Sequence, residues 1–115
     1  FELFLNNLDK KYYRTDFDLE GSCNYAFNLV LKKADFNFRD RLENIMREFG
    51  IEFRRGSAGG GNQMRQPYLK GIIKEKAWED YPEIEHIHHF GWYIGNYPDL
   101  QKDKILALCK LLNNI

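Results

Sequence analysis

The hydrophobic period changes twice between residues 23 and 55, and few architectures accommodate that change. Cys23, Tyr25, Phe27, Leu29 and Leu31 alternate with Asn24, Ala26, Asn28, Val30 and Lys32, a two-residue repeat that predicts a half-buried strand. From Phe38 the spacing lengthens to three and four through Leu42, Ile45, Met46 and Phe49. This stripe predicts an amphipathic helix with Asn37 as its N-cap and Gly50 as its stop. Ile51, Phe53 and Arg55 then alternate with Glu52 and Arg54, which predicts a short second strand. A strand, helix, strand unit of this kind buries its apolar faces by packing helices on a sheet.

The flanking segments extend the same pattern. Phe1, Leu5, Leu8 and Tyr12, joined by Phe4, predict a helix over residues 1 to 13, and the acidic stretch 14 to 22 reads as a loop. Leu69, Ile72, Ile73 and Ala77 suit a helix over 68 to 80, weakened by Gly71. Residues 84 to 95, with Gly91 and Gly95 among apolar positions, suit a strand entered through a bend. Asn96 to Asp99 reads as a turn. Ile105, Leu108, Cys109 and Leu112 predict a closing helix over 101 to 113. The expected fold class is therefore α/β in the broad sense, more narrowly α+β: a small mixed, mainly antiparallel sheet packed with helices.

At 115 residues the chain is one domain's worth. Seventeen basic residues balance seventeen acidic ones, so no global field draws in nucleic acid or anionic lipid. Neither nucleic acid nor a membrane is an expected partner: the longest apolar run, Ile105 to Cys109, is far short of a bilayer span. Cys23 and Cys109 both fall on apolar faces and read as buried thiols of a reducing cytoplasm. The chain opens at Phe1 inside a helical stripe, as a piece of something longer would.

The stretch from Arg54 to Pro67 is the most unusual in composition. It combines Arg54, Arg55 and Arg65 with Asn62, Gln63 and Gln66 around Gly56, Gly59, Gly60 and Gly61. Guanidinium forks bind phosphate, carboxamides match hydroxyls, and glycine lets backbone N–H groups approach a ligand. That combination suits a phosphorylated, hydroxylated ligand. A solvated surface loop is the plain alternative. Neither a phosphate-binding Lys-Ser or Lys-Thr nor the dinucleotide-binding glycine spacing is present.

His86, His88 and His89 would bring two imidazoles to one strand face, but no fourth ligand completes a structural metal site, and no metal is expected. His89, with Tyr93 close by, is kept as a ligand contact. Ser22 and Ser57 lack a nucleophile elbow, and Glu83 and Glu85 read as a solvated strand edge. No catalytic residue is assigned.

The strings GIEFRRG, GGGNQMRQPYL and HHFGWYIGNYPDL, followed by KILALCKLLNN, resemble the C-terminal end of the DegT/DnrJ/EryC1/StrS family over about residues 12 to 115. The resemblance implies the small domain of a fold-type I pyridoxal 5'-phosphate enzyme, an aminotransferase or sugar 3-dehydrase acting on nucleotide-linked sugars in polysaccharide biosynthesis. It implies that residues 1 to 13 end an interdomain helix and that 14 to 115 form the small domain. A large domain, not represented here, would hold the cofactor. It further implies a homodimeric full-length enzyme and a fragment inactive alone. Substrate contacts would fall on Arg54, Asn62, Arg65 and Gln66, with His89 and Tyr93 beside them. The rival expectation, from the residues alone, is a stand-alone ligand- or RNA-binding module with a mixed sheet.

Overall fold

Three short strands, β1 (Ala26–Val30), β2 (Phe53–Arg54) and β3 (Gly91–Gly95), form one antiparallel sheet in the order β1-β3-β2. The computed structural model of the chain describes residues 1–56 and 61–115. Phe27 and Phe53 both stand opposite Ile94, and Leu29 stands opposite Trp92, so these side chains share one face. Helices α1 (Glu2–Asn7), α2 (Phe36–Glu48) and α4 (Lys102–Asn113) supply the other half of the core. Phe4, Leu5, Leu42, Met46, Ile105, Cys109 and Leu112 are buried against that sheet face. Side chains of this size contribute about 1.5–3 kcal/mol each when fully buried. The architecture is a small α+β domain with an all-antiparallel sheet.

The two-period segment folds as strand, helix and strand in the predicted order, but Phe49 of the helical stripe is exposed just beyond α2 and the second strand is only Phe53–Arg54. β1 occupies the middle of the expected strand, but Ala26 and Val30 on its second face are buried too. Tyr25, placed on the apolar side by alternation, is exposed, and Cys23 is an exposed thiol. Cys109 is the buried one, and burial pushes its pKa up to about 11. The N-cap of α2 is Asp35 rather than Asn37: its carboxylate accepts from the Phe38 N–H at 2.9 Å. Gly50 follows α2 at φ +67°, the left-handed conformation in which glycine has no steric penalty.

Three other expectations are corrected. The first helix ends at Asn7, because Leu8 is extended and the Asp9 N–H is taken by Asn113 Oδ1 at 2.8 Å. Tyr13, not Tyr12, is the buried ring; it bridges to Leu31 and donates its hydroxyl to the Leu112 carbonyl at 2.6 Å. Residues 68 to 80 form no α-helix. Gly71 at φ +82° and Lys76 at φ +56° interrupt any right-handed run, leaving 3₁₀ turns at Pro67–Leu69 and Ala77–Asp80.

The largest difference lies in residues 82 to 90, which form helix α3 (Pro82–Phe90) instead of the first part of a strand. Pro82 is pre-set for the first helical turn, and Glu83 and Glu85 suit its positive end. The helix passes directly into β3 at Gly91, where a Cβ would lie 2.7 Å from the Ile87 carbonyl oxygen. No helix among the described residues is long and apolar enough to cross a membrane.

Candidate functional site

The sheet face turned away from the core carries Asn28, Tyr93 and Arg54 in one row across the three strands, because Asn28 and Arg54 both stand opposite Tyr93. Arg54 Nη1 donates to the Tyr93 hydroxyl at 3.3 Å, and its guanidinium carbon lies 5.9 Å from that ring's centre. Tyr25 meets Tyr93 edge to face at 6.2 Å. Arg54, Tyr25 and Tyr93 border a groove of about 790 Å³, together with Tyr97 and Lys104. The groove is also lined by Phe53 and Ile94 of the core-side face and by Ile105 and Leu108 of α4, so it reaches past the sheet to that helix. A volume of this size suits a small organic ligand.

A second polar cluster is organised by Glu85 on the first turns of α3. Arg65 grips this carboxylate from the side, with Nε 2.7 Å from Oε1 and 2.9 Å from Oε2, and its Nη2 also reaches Oε1. Asn62 donates its carboxamide N–H to Oε2 at 3.1 Å, and His89 Nε2 lies 3.1 Å from Oε1, one helical turn along. The Arg65 guanidinium also rests 4.6 Å from the centre of the Trp78 ring. Hydrogen bonds from Arg65 hold the Glu85 pKa down to about 2, against the upward push of burial.

Asn62 is the most buried residue of this cluster. It is 1% exposed. Its side-chain oxygen caps the 3₁₀ turn Gln63–Arg65 by accepting from Met64 N–H at 3.0 Å, and its backbone N–H donates to His88 Nδ1 at 2.9 Å. Both the nitrogen and the oxygen of its carboxamide are therefore engaged within the protein.

The six residues expected to contact a ligand thus divide. Asn62, Arg65 and His89 meet around Glu85. Arg54 and Tyr93 meet on the outer sheet face. Gln66 is half-buried as the residue that precedes the Pro67–Leu69 turn, and its backbone N–H bonds to the Gln63 carbonyl. The part of the expected pliant loop at Ser57, Ala58, Gly59 and Gly60 lies outside the described residues.

Glu85, Trp78 and His88 were not legible as members of one cluster. The available signal was helical: Pro82 followed by two acidic residues marks a helix start, and Glu85 and His89 are four apart. On a helix the three histidines diverge. His86 Nε2 donates to the Leu31 carbonyl at 2.6 Å, while His88 and His89 take the partners above. Among the described residues no three His, Cys, Asp or Glu side chains converge as a metal site.

A third network is structural. Glu43 on α2 is 6% exposed and accepts from Arg47 at 2.7 Å, from the Trp92 indole N–H at 2.9 Å and from Arg55. Burial pushes its pKa up, but the donors from Arg55, Trp92 and Arg47 outweigh that and leave it below the usual carboxylate range. Arg55 is thereby committed to the interior and Arg54 to the outer face.

Pyridoxal phosphate is held covalently in aminotransferases by a lysine in an enclosed site. Every lysine of this chain is exposed, so these residues do not fit a covalent anchor for the cofactor. No protein-family model, curated protein or solved structure matches the chain significantly.

Proposed function

We propose that this chain is the substrate-facing small domain of a pyridoxal 5'-phosphate enzyme, an aminotransferase or 3-dehydrase that acts on nucleotide-linked sugars in the cytoplasm. The cofactor is assigned to a separate large domain, in keeping with the exposure of every lysine here. A homodimer is the proposed active form.

The observation that carries this reading is the Arg54–Tyr93 pair on the outer sheet face, beside a groove bordered by Tyr25, Tyr97 and Lys104. A guanidinium and an ammonium suit the two phosphates of a sugar nucleotide, and tyrosines suit its base and hydroxyls. Asn62 and Arg65, whose side chains are already engaged by Glu85, are assigned a positioning role in it rather than a direct ligand contact. His89 has the same partner, and Gln66 sets the start of the following turn.

Calorimetric titration of the product of the complete reading frame with a nucleotide-linked hexose tests this. Arg54→Ala should weaken binding by about 1.5–3 kcal/mol, the range for a hydrogen bond to a charged group. The same hexose without its nucleotide should bind wild type and variant alike. Equal affinity of wild type and Arg54→Ala for the sugar nucleotide would remove Arg54 from the site. Salt-dependent binding of single-stranded RNA in its place would favour a nucleic-acid module.

A further inference from the structure

His88 differs from its two neighbours in the direction of its hydrogen bond. His86 donates to a carbonyl, but His88 Nδ1 receives the Asn62 backbone N–H at 2.9 Å. A ring nitrogen accepts only while it carries no proton. His88 also lies next to Gly56, where a Cβ would be 3.4 Å from the His88 carbonyl oxygen, 3.5 Å from Cε1 and 3.6 Å from Nε2. Asn62 is thus bonded to this half-buried imidazole, and Gly56 lies beside the same residue, close enough that a Cβ there would touch it.

We propose that His88 is a proton-operated latch: its neutral ring holds the Asn62 backbone, and a proton on Nδ1 turns the acceptor into a donor and releases that hold. The acid released state keeps the second anchor, because the Glu85 carboxylate is still ionised and still grips Arg65 and the Asn62 carboxamide. Acid thus frees the backbone N–H of Asn62 without dismantling the cluster. The latch itself needs no ligand.

The surroundings favour the neutral ring. His89 packs edge to face against His88 at 4.8 Å, and Arg65 and Arg55 are the guanidinium groups that act on it. Glu85 opposes them, but it is already engaged by Arg65, Asn62 and His89. Burial and the charges of His89, Arg65 and Arg55 together push His88 below its ordinary value of 6.5.

Ring-nitrogen NMR and amide exchange on the 115-residue chain test the latch directly. At neutral pH, His88 should show an unprotonated Nδ1. Its titration midpoint should lie below 6.5, and exchange protection of the Asn62 amide should fall with the same midpoint, by tenfold or more. His88→Asn, which offers a non-titrating acceptor near the same position, should keep Asn62 protected across the range. His88→Phe should lose that protection at every pH. Protection of Asn62 that ignores the state of His88, or a protonated Nδ1 at neutral pH, would overturn the proposal. Should His88→Phe fail to fold, the wild-type titration and His88→Asn still decide. Failure to bind a sugar nucleotide would leave all of these results unchanged, so the two proposals fail separately.

Discussion

Arg65 and Glu85 meet side-on, with the guanidinium Nε 2.7 and 2.9 Å from the two carboxylate oxygens, and this pair ties residues 62–66 to helix α3. Few surface ion pairs matter to stability, but this carboxylate also receives Asn62 and His89 and is 21% exposed. It behaves as the centre of a network rather than as an isolated pair.

Glu85→Gln should destabilise the fold by about 1.5–3 kcal/mol at neutral pH, through loss of charge-assisted hydrogen bonds. The folded pKa of Glu85 is about 2, below its ordinary 4.5. Its contribution is therefore present above pH 4.5 and lost as pH falls toward about 2. Denaturant midpoints measured from about pH 6 down to pH 2 should fall less steeply for Glu85→Gln than for wild type over that window. Parallel curves would remove Glu85 as the source of the acid sensitivity.

Glu43→Ala should cost more, about 3–5 kcal/mol, because it strands Arg55 and the Trp92 indole N–H without their shared acceptor. Trp92 fluorescence reports the site directly. A variant with unchanged stability and emission would show that the buried carboxylate contributes nothing net.

Gly91→Ala and Gly50→Ala separate two reasons for glycine. At Gly91 a Cβ would lie 2.7 Å from the Ile87 carbonyl oxygen and 2.9 Å from its Cγ2, so a loss of about 1–3 kcal/mol from overpacking is expected. At Gly50 the space is open but φ is +67°, so only the left-handed penalty of about 1–2 kcal/mol applies. Chemical denaturation of both variants checks the pair. A neutral Gly91→Ala would mean that the α3–β3 junction is looser than described.

Tyr13→Phe removes the donor to the Leu112 carbonyl and should cost about 1–3 kcal/mol by leaving that acceptor unpaired. Burial and the nearby charge of Asp9 raise the Tyr13 pKa well above the ordinary phenol value. The wild-type hydroxyl should therefore stay protonated in an alkaline absorbance titration until the chain unfolds. Titration of every tyrosine near pH 10 in the folded chain would contradict the burial of Tyr13.

The period-based part of the fold was readable because one face of α2 and one face of β1 are turned to the core. Phe38, Leu42 and Met46 have no other place to go. The misread part was residues 82–90, where Ile84, Ile87 and Phe90 fit a strand or a helix, and the aromatic run of β3 directly after them invites one long strand. Pro82 with Glu83 and Glu85 held the deciding information about a helix start. In the candidate site, the chemistry of Arg54, Asn62 and Arg65 was visible, but their division was not. Alternation puts Arg55 on the side of Phe53 and Arg54 on the other, but it does not tell that Arg55 meets a buried Glu43 there while Arg54 stands beside Tyr93. Nor does composition reveal that the Asn62 carboxamide is consumed by Glu85 and the Met64 N–H.

Purification of the product of the complete reading frame with pyridoxal 5'-phosphate, followed by its visible spectrum during reaction with a nucleotide-linked ketohexose and an amino donor, bears most directly on the proposed function. The account predicts a coloured protein whose cofactor band changes on addition of the sugar nucleotide, with Arg54→Ala requiring a higher sugar-nucleotide concentration for the same change. A colourless protein that takes up no cofactor and leaves the sugar nucleotide untouched would contradict it.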